Sequence, residues 1–226
     1  MFAGKKALLL DMNSTFMFGE DRFGADEDFS LHYFKMGGTL ARTEINRLVR
    51  KVYEYLGSRY PDENFRHCFP SLESAIIAVA DRTFSAPEVA KIAATFAFHE
   101  LGHIPQAYAQ ALHFLKKRFV LAAVIDIWSP KNHWLDVFER AGISQVFSAL
   151  SFSSDHGWVK PSPKPFEDVL KRIGITSNEA LVIGDSARRD LGGAKSAGID
   201  CILVGGAEHP EALMSFKNLL EFCRAL

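Results

Sequence analysis

At 226 residues and 25.2 kDa, the chain is sized for one large domain or a core with a modest insertion, not for a long repeat array. Its 26 Lys and Arg against 27 Asp and Glu give a formal charge of −1, which excludes a basic field for nucleic acid or anionic lipid; any bound anion must be held locally. Hydrophobic residues at 48% suffice for a packed core and exclude a disordered chain. Cys68, Cys201 and Cys223 are odd in number and far apart. They build neither a disulfide framework nor a Cys-x-x-Cys metal site, so the expected setting is the reducing cytoplasm.

Lys5-Lys6 and the apolar Ala7–Leu10 imitate the opening of a signal peptide, but Asp11 ends the run. The run that starts at Phe119 is closed by Asp126, far short of the ~20 residues that span a bilayer, so no membrane segment is expected. Ala7–Leu10 reads instead as the first of five buried parallel strands. The others are Phe119–Ile127, Val146–Leu150, Ala180–Ile183 and Cys201–Val204.

Between the first and second strands the chain reads as helical throughout. Ile45, Leu48, Val49, Val52 and Leu56 fall at helical spacing, as do Leu72, Ala75, Ile76 and Val79. Ser85 to Glu88 is a capping box ahead of Val89, Ile92, Ala93 and Phe96, and Pro105 opens a helix through Leu115 that ends on Lys116 and Lys117. Further helices, around Trp134 to Ala141 and Phe166 to Ile173, are closed by Gly142 and Gly174. Strand and helix in alternation predict a doubly wound α/β parallel sheet. The expected division is a core of residues 1–17 and 101–226 with an inserted α-helical cap at 18–100.

Ligands of an open parallel sheet bind beyond the carboxyl ends of its strands. The first strand exits into Asp11-Met-Asn13-Ser-Thr15, the second toward Ser129-Pro-Lys131, and the fourth into Gly184-Asp185 and on to Asp190, with Lys160-Pro161 between. Carboxylates, a hydroxyl and a lysine converging there would make an anion-and-metal site.

In this order and spacing, the four motifs resemble those of the haloacid dehalogenase-like (HAD) hydrolase superfamily: Asp11/Asn13/Thr15, Ser129, Lys160, and Gly184/Asp185/Asp190. The resemblance spans the whole core, and the insertion after the first motif looks like the family's type-one helical cap on a Rossmann-like fold. It implies a phosphohydrolase of a small phosphorylated metabolite working through an aspartyl-phosphate on Asp11. Mg²⁺ would neutralise the phosphate, held by Asp11, the carbonyl of Asn13 and Asp185, with Asp190 orienting the shell. Ser129, Lys160 and Thr15 would bind the phosphoryl group. Oligomeric state is left open.

The chain departs from the pattern at Asn13, where the family's phosphatases carry the aspartate that protonates the leaving group and then activates water. An amide cannot exchange a proton near neutral pH, and acid–base help is worth about 10²–10⁴-fold. A good leaving group could compensate, or a deputy such as His32, His67 or His133; turnover could also be weak, leaving a phosphate-ligand binding protein. A haloacid dehalogenase reaction would need neither acid nor metal, but Asp185 beside Asp11 repels a carboxylate substrate. Asp126 reads as a hydrogen-bonded buried acid.

His99-Glu-Leu-Gly-His103 fits the H-E-x-x-H signature of zinc proteases, although Gly102 and Pro105 argue against a continuing helix. The loop from Phe16 to Gly24 is expected to be a flap into the cap, with Gly19 and Gly24 absorbing motion and Arg22 reaching a substrate anion. The cap aromatics Phe29, Tyr33, Phe34, Tyr53 and Tyr55 read mostly as core.

Overall fold

The computed structural model describes Phe2 and residues 4–226; Met1 and Ala3, part of the expected core, lie outside the described residues. Strand β1 (Ala7–Leu10) is wholly buried and pairs in parallel with β2 (Val120–Ile125) on one side and β4 (Ala180–Gly184) on the other. Strands β3 (Ala149–Phe152), β5 (Asp200–Leu203) and β6 (Met214–Ser215) complete a six-stranded parallel sheet in the order β3-β2-β1-β4-β5-β6. β1 alternates its side chains between two cores, Leu8 and Leu10 into one and Ala7 and Leu9 into the other. Both faces are covered, as a parallel sheet requires.

Two expectations change here. The third strand begins three residues later than its apolar run, because the Val146 N–H bonds the Ile143 carbonyl in a turn and the ladder starts with Ser148 on Leu121. The two-residue β6 carries no sequence pattern of its own; its place comes from pairing with Ile202 and Leu203.

Helices α1 (Ser30–Lys35), α2 (Arg42–Arg59), α3 (Leu72–Val79) and α4 (Ala86–Glu100) follow β1. They bury Phe29, Tyr33, Val49, Val52, Leu56, Ile76 and Phe96 in a hydrophobic cluster of their own, to which Val159 is the sheet side's buried contribution. Each such side chain contributes about 1.5–3 kcal/mol on burial. The Ser71 hydroxyl caps α3 by accepting the Ser74 N–H at 3.2 Å. The expected capping box at Ser85 does not form: Ser85 makes no side-chain cap bond, and Glu88 accepts the buried Tyr33 hydroxyl instead.

The remaining helices flank the sheet: α5 (Gln106–Lys116), α6 (Asn132–Arg140), the single turn α7 (Ser153–His156), α8 (Lys164–Ile173), α9 (Gly192–Ser196) and α10 (Leu219–Arg224). No described helix is long and apolar enough to cross a membrane.

Candidate active site

The strand order brings the carboxyl ends of β1, β2 and β4 side by side, and Asp11 leaves the middle one with its N–H on the Ile183 carbonyl at 2.8 Å. Lys160, 2% exposed, reaches the same point from the loop before α8. Its Nζ donates to Asp11 Oδ1 at 2.5 Å and to Asp190 Oδ1 at 2.7 Å. Thr15 donates to the other Asp11 oxygen at 3.4 Å, and Asp190 Oδ2 accepts the Ser186 N–H at 3.0 Å. Gly184 permits this approach, because a Cβ there would meet the Asp190 carboxyl at 2.3 Å.

Carboxylate oxygens of Asp11, Asp185 and Asp190 lie within 4.8 Å of one another. One lysine cannot neutralise three acids. Burial pushes the Asp11 carboxyl up to about 7, with Asp190 and Asp185 adding to the rise and Lys160 opposing it. Lys160 is held protonated well above its ordinary range: burial opposes this, but Asp11, Asp190 and Asp126 outweigh it. Asp185 Oδ1 is buried without a partner, and Arg189 stands off the same atom at 3.8 Å.

These groups open on a cavity of about 150 Å³. Asp11, Asn13, Lys160 and Asp185 line it. Thr15 and Asp190 stand behind it, joined to its wall through Asp11 and Lys160. Ser129 is fully buried beside it, its hydroxyl accepting the Trp134 indole N–H at 3.2 Å. Arg22 is the exception among the expected site residues. Its guanidinium is committed to the Gly19 carbonyl at 2.9 Å, Leu101 at 2.6 Å and Phe98, so it clasps the flap rather than facing a substrate.

The cavity also holds residues that sequence reasoning did not place there. Glu20 and Asp21 come from the flap, Tyr60 from just past the end of α2, Glu100 from the end of α4, and Trp128 and Arg189 from the sheet side. Glu100 ends α4 and accepts the Trp128 N–H at 2.6 Å and the Ser129 N–H at 2.9 Å; burial pushes its carboxyl up to about 7, opposed by the Ser129 hydroxyl beside it and by those two N–H groups. Asp126 is the hydrogen-bonded acid expected, accepting from Tyr60 Oη at 2.7 Å and the Lys160 N–H at 2.9 Å, and it also lines the cavity. A raw signal existed for Arg189, inside the fourth motif, and for Glu20 and Asp21, just after the first.

The H-E-x-x-H match makes no metal site, in line with the helix stop read at Gly102 and Pro105. Because α4 stops at Glu100, His99 and His103 do not share a helix face, and Glu100 is spent on backbone N–H groups. His103 instead pairs with Phe18. None of the proposed deputies lines the cavity: His32 stacks on Phe98 and His67 bonds Ser162, while His133 lies elsewhere.

The doubly wound core, the inserted helices and the acid-rich cavity at the strand ends are those of a capped hydrolase. The sequence profile of the haloacid dehalogenase-like hydrolases matches residues 34–204, and the chain belongs to that family. It is 26% identical over 185 residues to a glyceraldehyde 3-phosphate phosphatase of Pyrococcus furiosus, a match covering 80% of this chain and 71% of that protein. Among solved structures, its fold is similar to a 2-haloacid dehalogenase of Pseudomonas syringae (TM-score 0.65, 16% identity, 97% of each chain) and a HAD phosphatase of Thermococcus onnurineus (TM-score 0.64, 21% identity, 97% of each chain).

Proposed function

We propose that this hydrolase is a Mg²⁺-dependent phosphohydrolase of a small phosphorylated metabolite, working through an aspartyl-phosphate on Asp11 in the cytoplasm. The observation that carries the reading is the pinning of Asp11 by Lys160 within a cluster of three carboxylates that a single lysine leaves underneutralised. The donors are hard oxygens, and the orphaned Asp185 Oδ1 has the chemistry a small divalent cation requires. Asp11, Asp185 and the Asn13 carbonyl would hold Mg²⁺; Asp190, both of whose oxygens are engaged, would position Lys160 and the shell. When bound, the cation offsets the repulsion between a phosphate dianion and the acids.

Lys160 and Thr15 hold the Asp11 carboxylate in one orientation for attack on phosphorus. The Ser129 hydroxyl accepts from Trp134 and lies against the Glu100 carboxylate, and on this reading its proton turns from that carboxylate to a phosphoryl oxygen. A 150 Å³ cavity admits a small metabolite. The working division is a core of residues 1–17 and 101–226 under a cap at 18–100. The phosphatase name of the Pyrococcus relative supports the same chemistry.

Asn13 favours a second reading, displacement of halide from a haloacid. The four further acids of the cavity (Glu20, Asp21, Glu100 and Asp126) weigh against a carboxylate substrate. The test is phosphate release from phosphomonoesters and acyl phosphates with Mg²⁺ or EDTA, beside an Asp11→Asn control. Mg²⁺-dependent release that the control abolishes is the expected result. Release from no phosphate ends the proposal, with activity on 2-haloacids pointing to the second reading and binding without turnover to a phosphate-ligand binding protein.

A further inference from the structure

On the phosphohydrolase reading, two proton transfers lack an owner, since Asn13 can perform neither. Six carboxyl groups line the cavity. Asp11 and Asp185 belong to the nucleophile and metal set. Asp126 is taken by Tyr60 and the Lys160 N–H, Glu100 by the Trp128 and Ser129 N–H groups, and Glu20 accepts from the Ser14 hydroxyl at 3.1 Å through Oε1 while its unpartnered Oε2 is closed off from solvent. Asp21 alone accepts no side-chain hydrogen bond and forms no ion pair among the described residues. It combines a place in the cavity lining with contact to solvent, as a group that must both reach substrate and exchange protons with water requires.

Its backbone is held in the left-handed region at φ 56°, uncommon for a residue other than glycine and found where a site over-determines the chain. The restraint is visible: the Asp21 and Arg22 N–H groups bond the Glu100 and His99 carbonyls, and the Arg22 guanidinium clasps three more.

We propose that Asp21 is the acid and base of this enzyme, serving from the flap the role that residue 13 cannot. As Asp11 forms its bond to phosphorus and the bond to the leaving oxygen breaks, the Asp21 carboxyl gives that oxygen its proton. Water then attacks the aspartyl-phosphate and passes a proton to the Asp21 carboxylate; the phosphorus–Asp11 bond breaks, and phosphate leaves with both carboxyl groups restored. The groups around Asp21 suit the task. The carboxyl keeps contact with solvent, but the hydration it loses against the cavity wall and the neighbouring Glu20 push it up to about 6, with Arg189 opposing; Glu100 and Tyr53 are the other titratable groups that face it.

The test compares parent, Asp21→Asn and Glu20→Gln on an alkyl phosphomonoester and on acetyl phosphate with Mg²⁺, following rate, pH profile and trapped phosphoryl-enzyme. Asp21→Asn is expected to lower kcat on the alkyl ester about 10²–10⁴-fold, because the first step lacks its acid, and on acetyl phosphate, whose leaving group needs no proton, to flatten the acidic limb and accumulate phosphoryl-enzyme, because the second step lacks its base. Asp21→Glu, or Asn13→Asp added to Asp21→Asn, restores turnover, which a merely misfolded variant would not allow. Parent-like rate and pH profile in Asp21→Asn overturn the assignment, as does phosphoryl-enzyme accumulating in Glu20→Gln instead. In either case, the phosphohydrolase reading stands if Asp11→Asn is dead. Absence of Mg²⁺-dependent release from the parent overturns both.

Discussion

Glu100 Oε2 accepts the Ser129 backbone N–H at 2.9 Å, tying the last residue of α4 to the loop that carries the second motif; its Oε1 holds the adjacent Trp128 N–H at 2.6 Å. Two convergent N–H groups demand an acceptor with two oxygens. Glu100→Gln presents an amide N–H to one of them, so a loss of about 1–3 kcal/mol of stability is expected, measured by urea unfolding. Turnover should fall with it, because Ser129 loses its anchor.

The same carboxyl sets a pH dependence. Its ordinary value near 4.5 rises to about 7 on folding, so between those pH values the folded protein binds the proton more tightly than the unfolded chain does. Stability is therefore greatest below about 4.5 from this group, is lost as the pH rises toward 7, and is flat above; the span is worth at most about 3 kcal/mol. Unfolding curves at pH 5 and pH 8 should show the metal-free protein more stable at the lower pH. Glu100→Gln should reduce that difference; an unchanged difference would assign it to other groups.

Arg22→Ala removes three charge-assisted bonds to the carbonyls of Gly19, Phe98 and Leu101 and leaves the flap to its backbone pairing. We expect a cost of about 1–2 kcal/mol, a fall in Tm of several degrees and a higher KM from a looser flap. Unaltered substrate affinity would separate the clasp from catalysis.

Gly184→Ala adds one methyl group and no charge, yet that methyl would meet Asp190 Cγ at 2.3 Å. Asp190 must move, and with it the 2.7 Å bond that aims Lys160. Activity should fall at least about tenfold, one pKa unit's worth of electrostatic balance at the nucleophile, while circular dichroism stays folded.

The parts legible in the sequence are those where local pattern and tertiary role coincide. Leu8 to Leu10 are apolar because the strand is buried on both faces, and Asp11 stands out because it ends that run. Thr15, Lys160 and Asp185 were findable as motif members at strand ends. Glu100 was not: Gly102 and Pro105 announce that the helix ends, but nothing in the sequence announces that it ends against the Trp128 loop. Arg22 misled for a related reason: a flap arginine near a phosphate site is as readily consumed by carbonyls as by substrate, and only the fold shows which. Tyr60 reaches Asp126 across 66 positions of chain, a separation no periodicity records.

The two segments joining sheet and inserted helices run side by side: Phe18 and His103 exchange both backbone hydrogen bonds, at 2.9 and 2.8 Å. Gly102 makes the contact close, since a Cβ there would lie 2.7 Å from the Phe18 carbonyl oxygen. From the sheet's side, everything in residues 19–102 is therefore the loop of a hairpin. Its two ends are already neighbours, so the helices can be exchanged or shortened without asking the sheet to bridge a gap, and specificity can be rewritten in one segment while the nucleophile stays where it is.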